Sequence, residues 1–278
     1  MKMKTMKRIL ACGVLGVLLL PQTQGFAQGT TNGDDVTNVA HRGASGHAPE
    51  NTIAAFDKAV EIGADYIEVD VHMSKNNEVV VIHDATVNRT TDGEGRVNDF
   101  TLRELRQLDA GSWFSDEYKG EQIPTLGEVL DRYLGEIGIL IEVKDPANYN
   151  NMERFVAIEL IKRQLRKPTD EEVIVQSFDH ASMERFHNIL PDVPIGVLVS
   201  NNPNGISDEQ LKSFQTYADY TNPNHLMVDQ DLVTRIQDHG MQISTWTVND
   251  PNRMEELVEY GVDGIITDFP DRLQDVLQ

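Results

Sequence analysis

Charged residues stand where several apolar runs of this chain give out. His41-Arg42 follow Val39-Ala40, Glu68 and Asp70 interrupt the run from Tyr66 to Val71, and Glu142 and Lys144 interrupt the run from Ile139 to Lys144. His83-Asp84 close a fourth run and Trp246 sits late in a further one, STWTVND. In an extended strand, residues i and i+2 face the same way, so Glu68 shares a face with Asp70, and Glu142 with Lys144. Carboxylates among apolar neighbours are costly to bury unless they are paired or bind a metal. Arg42 and Lys144 offer two positive charges against three acids, and a hard divalent cation with oxygen ligands resolves the excess. An all-carboxylate set suits Ca²⁺ first, with Mg²⁺ as the alternative; zinc would favour imidazole or thiolate.

His41 and His83 fall at the ends of separate runs beside this acidic cluster, and imidazoles titrate near neutrality. Such a pair can act as general base and general acid on opposite sides of a reacting centre. The cation, Arg42 and Lys144 together could hold a phosphodiester, since arginine matches phosphate oxygens with a two-pronged grip. Gly43, lacking a Cβ, is expected to permit close approach at that loop. The other histidines, His47, His72, His180, His187, His225 and His239, read as structural.

What must position these groups is an alternation of short apolar runs with helical patterns from Val36 onward, the signature of βα units and a mainly parallel sheet. The fold class expected is α/β, a (β/α)₈ TIM barrel, in which strand C-termini converge on one rim. Several helical patterns end in glycine (Gly63, Gly240, Gly261), and Asp250-Pro251 offers a helix start. Nine candidate strands exceed the barrel's eight by one. DYIEVDVHMSKNNEVVVIHD has too short a turn for a crossover helix, so either that pair is a hairpin or a later run is no stave. Residues 84–125 break the alternation and read as a small insertion subdomain after the third strand, over one face of the barrel.

The chain has 278 residues, enough for one large barrel, with 40% hydrophobic and 25% charged residues. Its net charge of −21 argues against a nucleic-acid partner, which needs a basic footprint. Lys2, Lys4, Lys7 and Arg8 precede an apolar run from Ile9 to Leu20, too short for a comfortable membrane span, and Gly25-Phe26-Ala27 gives a small-residue exit. Residues 1–27 therefore read as a signal peptide cleaved after Ala27, residues 28–35 as a disordered leader, and 36–278 as the folded domain. Loss of those four cations takes the charge from −21 to −25. Cys12 is the sole cysteine, and its hydrophobic run follows it instead of preceding it, against a lipoprotein site. A mature chain without thiols suits an oxidising, extracytoplasmic location. No stable membrane insertion is expected, and oligomeric state is not legible.

HRGASGHAPENT, IEVDVHMSKNNEVVVIHD, ILIEVK and STWTVND…GVDGIITDFP, in that order, resemble the glycerophosphodiester phosphodiesterase family over essentially the whole mature chain. The resemblance implies a TIM barrel with a small subdomain after His83, which hydrolyses glycerophosphodiesters to glycerol 3-phosphate and an alcohol with a divalent metal. It places the catalytic pair on His41 and His83, the metal carboxylates on Glu68, Asp70 and Glu142, phosphate contacts on Arg42 and Lys144, and an aromatic wall on Trp246. Alternatives are a phospholipase D-like enzyme, for which only Trp113-Phe114 offer a lipid-facing loop, a teichoic-acid-degrading phosphodiesterase, and an extracytoplasmic binding protein. The His pair counts against the last, since a binder needs no proton-transfer groups.

Overall fold

A computed structural model describes residues 36–169 and 172–278. The signal peptide and leader expected over 1–35 lie outside the described residues. Eight parallel strands form the barrel: β1 (Thr37–Ala40), β2 (Tyr66–Met73), β4 (Gly138–Val143), β5 (Val173–Ser177), β6 (Ile195–Val199), β7 (Tyr220–Pro223), β8 (Ser244–Thr245) and β9 (Gly264–Thr267). The order is β7-β6-β5-β4-β2-β1-β9-β8, and parallel bridges at Tyr220–Gln242 and Asn224–Trp246 bring β7 and the β8 segment together. The extra strand is the hairpin: β3 (Val79–Val81) pairs antiparallel with β2. Eight staves and one hairpin strand thus account for all nine runs.

The strands are rich in Val and Ile, which suit a pleated surface buried on both sides. Helices α1 (Ile53–Ile62), α3 (Leu126–Tyr133), α4 (Met152–Lys162), α5 (His180–Ile189), α6 (Asp208–Phe214), α7 (Gln230–Asp238), α8 (Pro251–Tyr260) and α9 (Pro270–Leu277) alternate with them. Local signals fix the ends. Thr52 Oγ1 accepts from Ala55 N at the start of α1, and Gly63 closes it with φ 87°. Asp250 caps α8, and Gly261 ends it in the left-handed region. Of these helices, α6 and α9 escaped the sequence reading. The first is one polar two-turn segment held by a capping box of Ser207 and Gln210, with little apolar periodicity to betray it.

Residues 84–125 are less irregular than expected. They hold α2 (Leu102–Leu105) and two 3-10 turns, Val97–Asp99 and Asp116–Tyr118. Val87, Val97, Leu105 and Ile123 bury themselves against Val80 and Ile82 of the hairpin arm, apart from the main core. Each such side chain contributes about 1.5–3 kcal/mol by burial, enough to anchor the insertion without long helices. At Gly43 the close approach expected at that loop is made by helix α1. The glycine has φ 78°, and a Cβ there would lie 2.6 Å from the backbone carbon of Ala55. Its bareness serves the packing of the β1–α1 turn on the helix.

Candidate active site

Strand register assembles the acids. In the β2–β4 pair, Asp70 lies opposite Glu142 and Glu68 opposite Leu140, so the three carboxylates belong to neighbouring strands, Glu142 next to the end of β4 and Glu68 and Asp70 third and fifth along β2. One ligand oxygen from each lies within 4.8 Å of the others, and all three residues are buried. The two cations do pair with them. Arg42 Nε is 3.3 Å from Asp70 Oδ2, and Lys144 Nζ is 2.6 Å from Glu142 Oε1 and 3.5 Å from Asp70 Oδ1. Arg42 N also donates to Glu68 Oε2 at 2.8 Å.

The pairing does not balance the cluster. Glu68 Oε1 and Asp70 Oδ1 are buried with no hydrogen-bond donor among the described residues, and such carboxylate oxygens are expensive unless a cation meets them. Burial, then the charges of Asp70 and Glu142, push Glu68 well above the usual carboxylate range. Burial and Asp70 raise Glu142 to about 7. Burial would raise Asp70 too, but Lys144 and Arg42 outweigh it and hold it down at about 2. Protein charges alone therefore keep one acid ionised comfortably, and three hard oxygen donors fit a divalent cation.

Both expected imidazoles reach the same cavity, each oriented by a carboxylate. His41 Nδ1 donates to Asp268 Oδ1 at 2.6 Å, and Asp268 is held in turn by Ser45 Oγ at 3.0 Å and Asn249 Nδ2 at 2.6 Å. His83 Nδ1 donates to Asp84 Oδ1 at 2.7 Å. Asp84 is held near 2 by the hydrogen bond from Arg89, against burial and helped by His83; Asp268 is also near 2, the bond from His41 outweighing burial. Ionised carboxylates can only accept, so Nδ1 of each ring carries the proton and Nε2 is left to the cavity. Burial, with Arg42 and Lys144, lowers His83 against the opposing pull of Asp70 and Asp84.

The cavity, about 90 Å³, is lined by His41, Arg42, Glu68, His83, Glu142, Lys144 and Trp246, with Phe178 and Gln176. Asp70 lies buried among the charged groups. Trp246 Nε1 donates to Asn222 O at 2.8 Å, which fixes the indole, and its ring meets Phe178 edge-on at 5.3 Å. A larger hollow of about 640 Å³ opens elsewhere, beside Ile53, Arg106, Glu121 and Arg132, and receives none of the strand-end groups.

All eight residues singled out from sequence therefore converge on one rim. Several of their partners were not anticipated. Asn51, read only as part of a helix start, has φ 58° and clasps Asp70: Nδ2 donates to Asp70 Oδ2 at 2.8 Å, and Asp70 N donates to Asn51 Oδ1 at 3.1 Å. Glu50 takes Arg42 Nη1 at 2.9 Å. Asp268, just past β9, carried a visible signal as an acid ending an apolar run; Phe178 carried none. His72, read as structural, is satisfied by the Tyr149 hydroxyl at 2.8 Å and His83 O at 3.0 Å.

Residues 41–272 match the model of the glycerophosphoryl diester phosphodiesterase family. The chain belongs to that family. Among relatives of this phosphodiesterase, a glycerophosphodiester phosphodiesterase of Bacillus subtilis is 35% identical, over 95% of this chain and 94% of the relative. One from Caldanaerobacter subterraneus is 40% identical over 84% and 95%. The solved phosphodiesterase of Oleispira antarctica, in complex with the product sn-glycerol-3-phosphate, superposes with a TM-score of 0.79 at 30% identity, covering 87% of this chain and 96% of that one. The (β/α)₈ barrel expected from the alternation is thus the fold both observed and shared.

Proposed function

We propose that this phosphodiesterase splits glycerophosphodiesters into glycerol 3-phosphate and an alcohol through His41 and His83, with one divalent cation held by Glu68, Asp70 and Glu142. That the chain is a phosphoric diester hydrolase of glycerophosphodiesters follows from its family; the division of labour is our reading. The observation that carries it is the meeting of two carboxylate-oriented imidazoles, on one cavity, with a cluster of three strand-borne acids of which Glu68 and Glu142 line that cavity. Ca²⁺ is the ion we favour, with Mg²⁺ second, because every donor is a carboxylate oxygen. Once bound, such an ion supplies Lewis-acid charge beside the phosphoryl oxygens.

The chain's own groups do the remaining work. Arg42 and Lys144 neutralise the phosphodiester as charge builds on its non-bridging oxygens. One imidazole, with Nε2 unprotonated, takes the proton of the attacking hydroxyl, and the other, entering the step as imidazolium, delivers its Nε2 proton to the departing alkoxide. Asp268 and Asp84 keep both rings turned toward the substrate and stabilise whichever becomes cationic. Trp246 and Phe178 provide an apolar wall for the carbon skeleton.

Incubation with glycerophosphocholine, glycerophosphoethanolamine and glycerophosphoglycerol, with and without chelator, tests this reading by release of glycerol 3-phosphate. His41→Ala and His83→Ala should each lower kcat by ~10²–10⁴-fold with the fold intact. Near-normal turnover in either variant would remove that residue from the mechanism. A cyclic phosphate trapped by rapid quench would identify the glycerol hydroxyl as nucleophile, and direct entry of ¹⁸O from water the other route. Lysophospholipid and poly(glycerol phosphate) belong in the same panel, because Trp113 and Phe114 are 40% and 36% exposed on the insertion. Among the described residues no helix is long and apolar enough to cross a membrane. We propose export through residues 1–27, which a mature N-terminus at Gln28 would support.

A further inference from the structure

Arg89 lies on the insertion shortly after His83, and its side chain is 44% exposed. An exposed arginine ordinarily contributes little through ion pairs. This one makes four charged hydrogen bonds to two carboxylates. Nε and Nη2 donate to Asp84 Oδ2 and Oδ1 at 2.8 and 3.2 Å. Nη1 and Nη2 donate to Glu50 Oε2 and Oε1 at 2.8 and 2.7 Å.

Each of those carboxylates has a second partner in the site. Asp84 accepts from His83 Nδ1 at 2.7 Å, and Glu50 accepts from Arg42 Nη1 at 2.9 Å. A continuous path therefore runs from the His83 imidazole, through Asp84, Arg89 and Glu50, to the Arg42 guanidinium, and both ends line the same cavity. Its two ends come from different parts of the chain, the hairpin arm and the β1–α1 loop. Only a planar fork with donors on two sides can grip both acids at once; a lysine has a single nitrogen.

We infer that Arg89 is a positioning residue for the hydrolysis, clamping Asp84 to Glu50 so that His83 and Arg42 keep their spacing across the bound phosphodiester. The insertion is then a working part of the site, since the clamp is its contribution. This inference rests on the roles proposed above for His83 and Arg42.

The test compares Arg89→Ala, Arg89→Lys, Asp84→Asn and the double variant Arg89→Ala/Asp84→Asn on glycerophosphocholine with saturating Ca²⁺. Misplacing catalytic groups by about an ångström costs on the order of 10²-fold, so kcat/KM of Arg89→Ala should fall by roughly 10–100-fold. Its Tm should stay within ~2–4 °C of wild type. Arg89→Lys should recover little, and guanidinium ion, but not methylammonium, should restore part of the alanine variant's turnover. The double variant should be no slower than the worse single one, because both changes cut one path. Wild-type turnover in Arg89→Lys, additive losses in the double variant, or a loss that tracks Tm and resists guanidinium would each overturn the clamp. If Arg89→Ala does not fold, the lysine variant decides alone. His83→Ala separates the two levels: activity there sinks the proposed mechanism, whereas its loss beside full activity in Arg89→Ala sinks only this inference.

Discussion

Stripping the divalent cation should make this protein progressively less stable as pH rises from 5 to 8. In the cation-free site, burial and then Asp70 raise Glu142 from 4.5 to about 7, and Glu68 moves the same way. Between those values the folded chain binds protons that the unfolded chain has released, so unfolding free energy falls as pH rises. Glu142 alone accounts for about 3 kcal/mol, or roughly 6–12 °C in Tm for a domain of this size. Asp70 is shifted oppositely, from 3.8 to about 2. Its contribution is present above pH 4 and lost only below that, outside the window. A bound cation favours the ionised form of all three acids and removes the penalty. Thermal melts at pH 5, 6, 7 and 8, in EDTA and in Ca²⁺, read the effect as a difference, so groups remote from the site cancel. The gap should be small at pH 5 and widen toward pH 8. A gap independent of pH, or one that narrows as pH rises, would refute the argument.

Two other perturbations bear on the site's support. Asp268→Asn keeps the shape beside His41 but exchanges an obligate acceptor for an amide; kcat should fall by ~10²-fold or more while KM changes little, as steady-state kinetics would show. Gly43→Ala puts a Cβ 2.6 Å from the Ala55 backbone at φ 78°; a loss of about 2–5 kcal/mol is expected from left-handed strain and overpacking, measurable by denaturant unfolding.

The chemistry of this protein was more legible in its sequence than the scaffolding of that chemistry. Glu68, Asp70 and Glu142 could be read because charge inside an apolar strand has few inexpensive explanations, and Lys144 because it directly follows such a strand. The period of two then placed each pair on one face. Asn51 and Glu50 could not, because turn residues before a helix have a sufficient local explanation and their partners, Asp70 and Arg89, are fixed only by the tertiary fold. Asp268 is 227 positions from the imidazole it orients, and spacing carries no information at that range. The ninth strand resolved as a hairpin for a reason already visible, its short turn. The insertion looked irregular because its core is borrowed from Val80 and Ile82 instead of arising from a periodic face of its own.

Under the proposed mechanism, hydrolysis requires one cation gripped by Glu68, Asp70 and Glu142. Enzyme stripped by chelator and dialysed should release no glycerol 3-phosphate from glycerophosphocholine, and titration with Ca²⁺ should restore turnover along a line that breaks at about one equivalent per chain, the capacity of a single three-carboxylate site. Full turnover in the stripped enzyme, or the same titration curve from Asp70→Asn, would contradict that requirement.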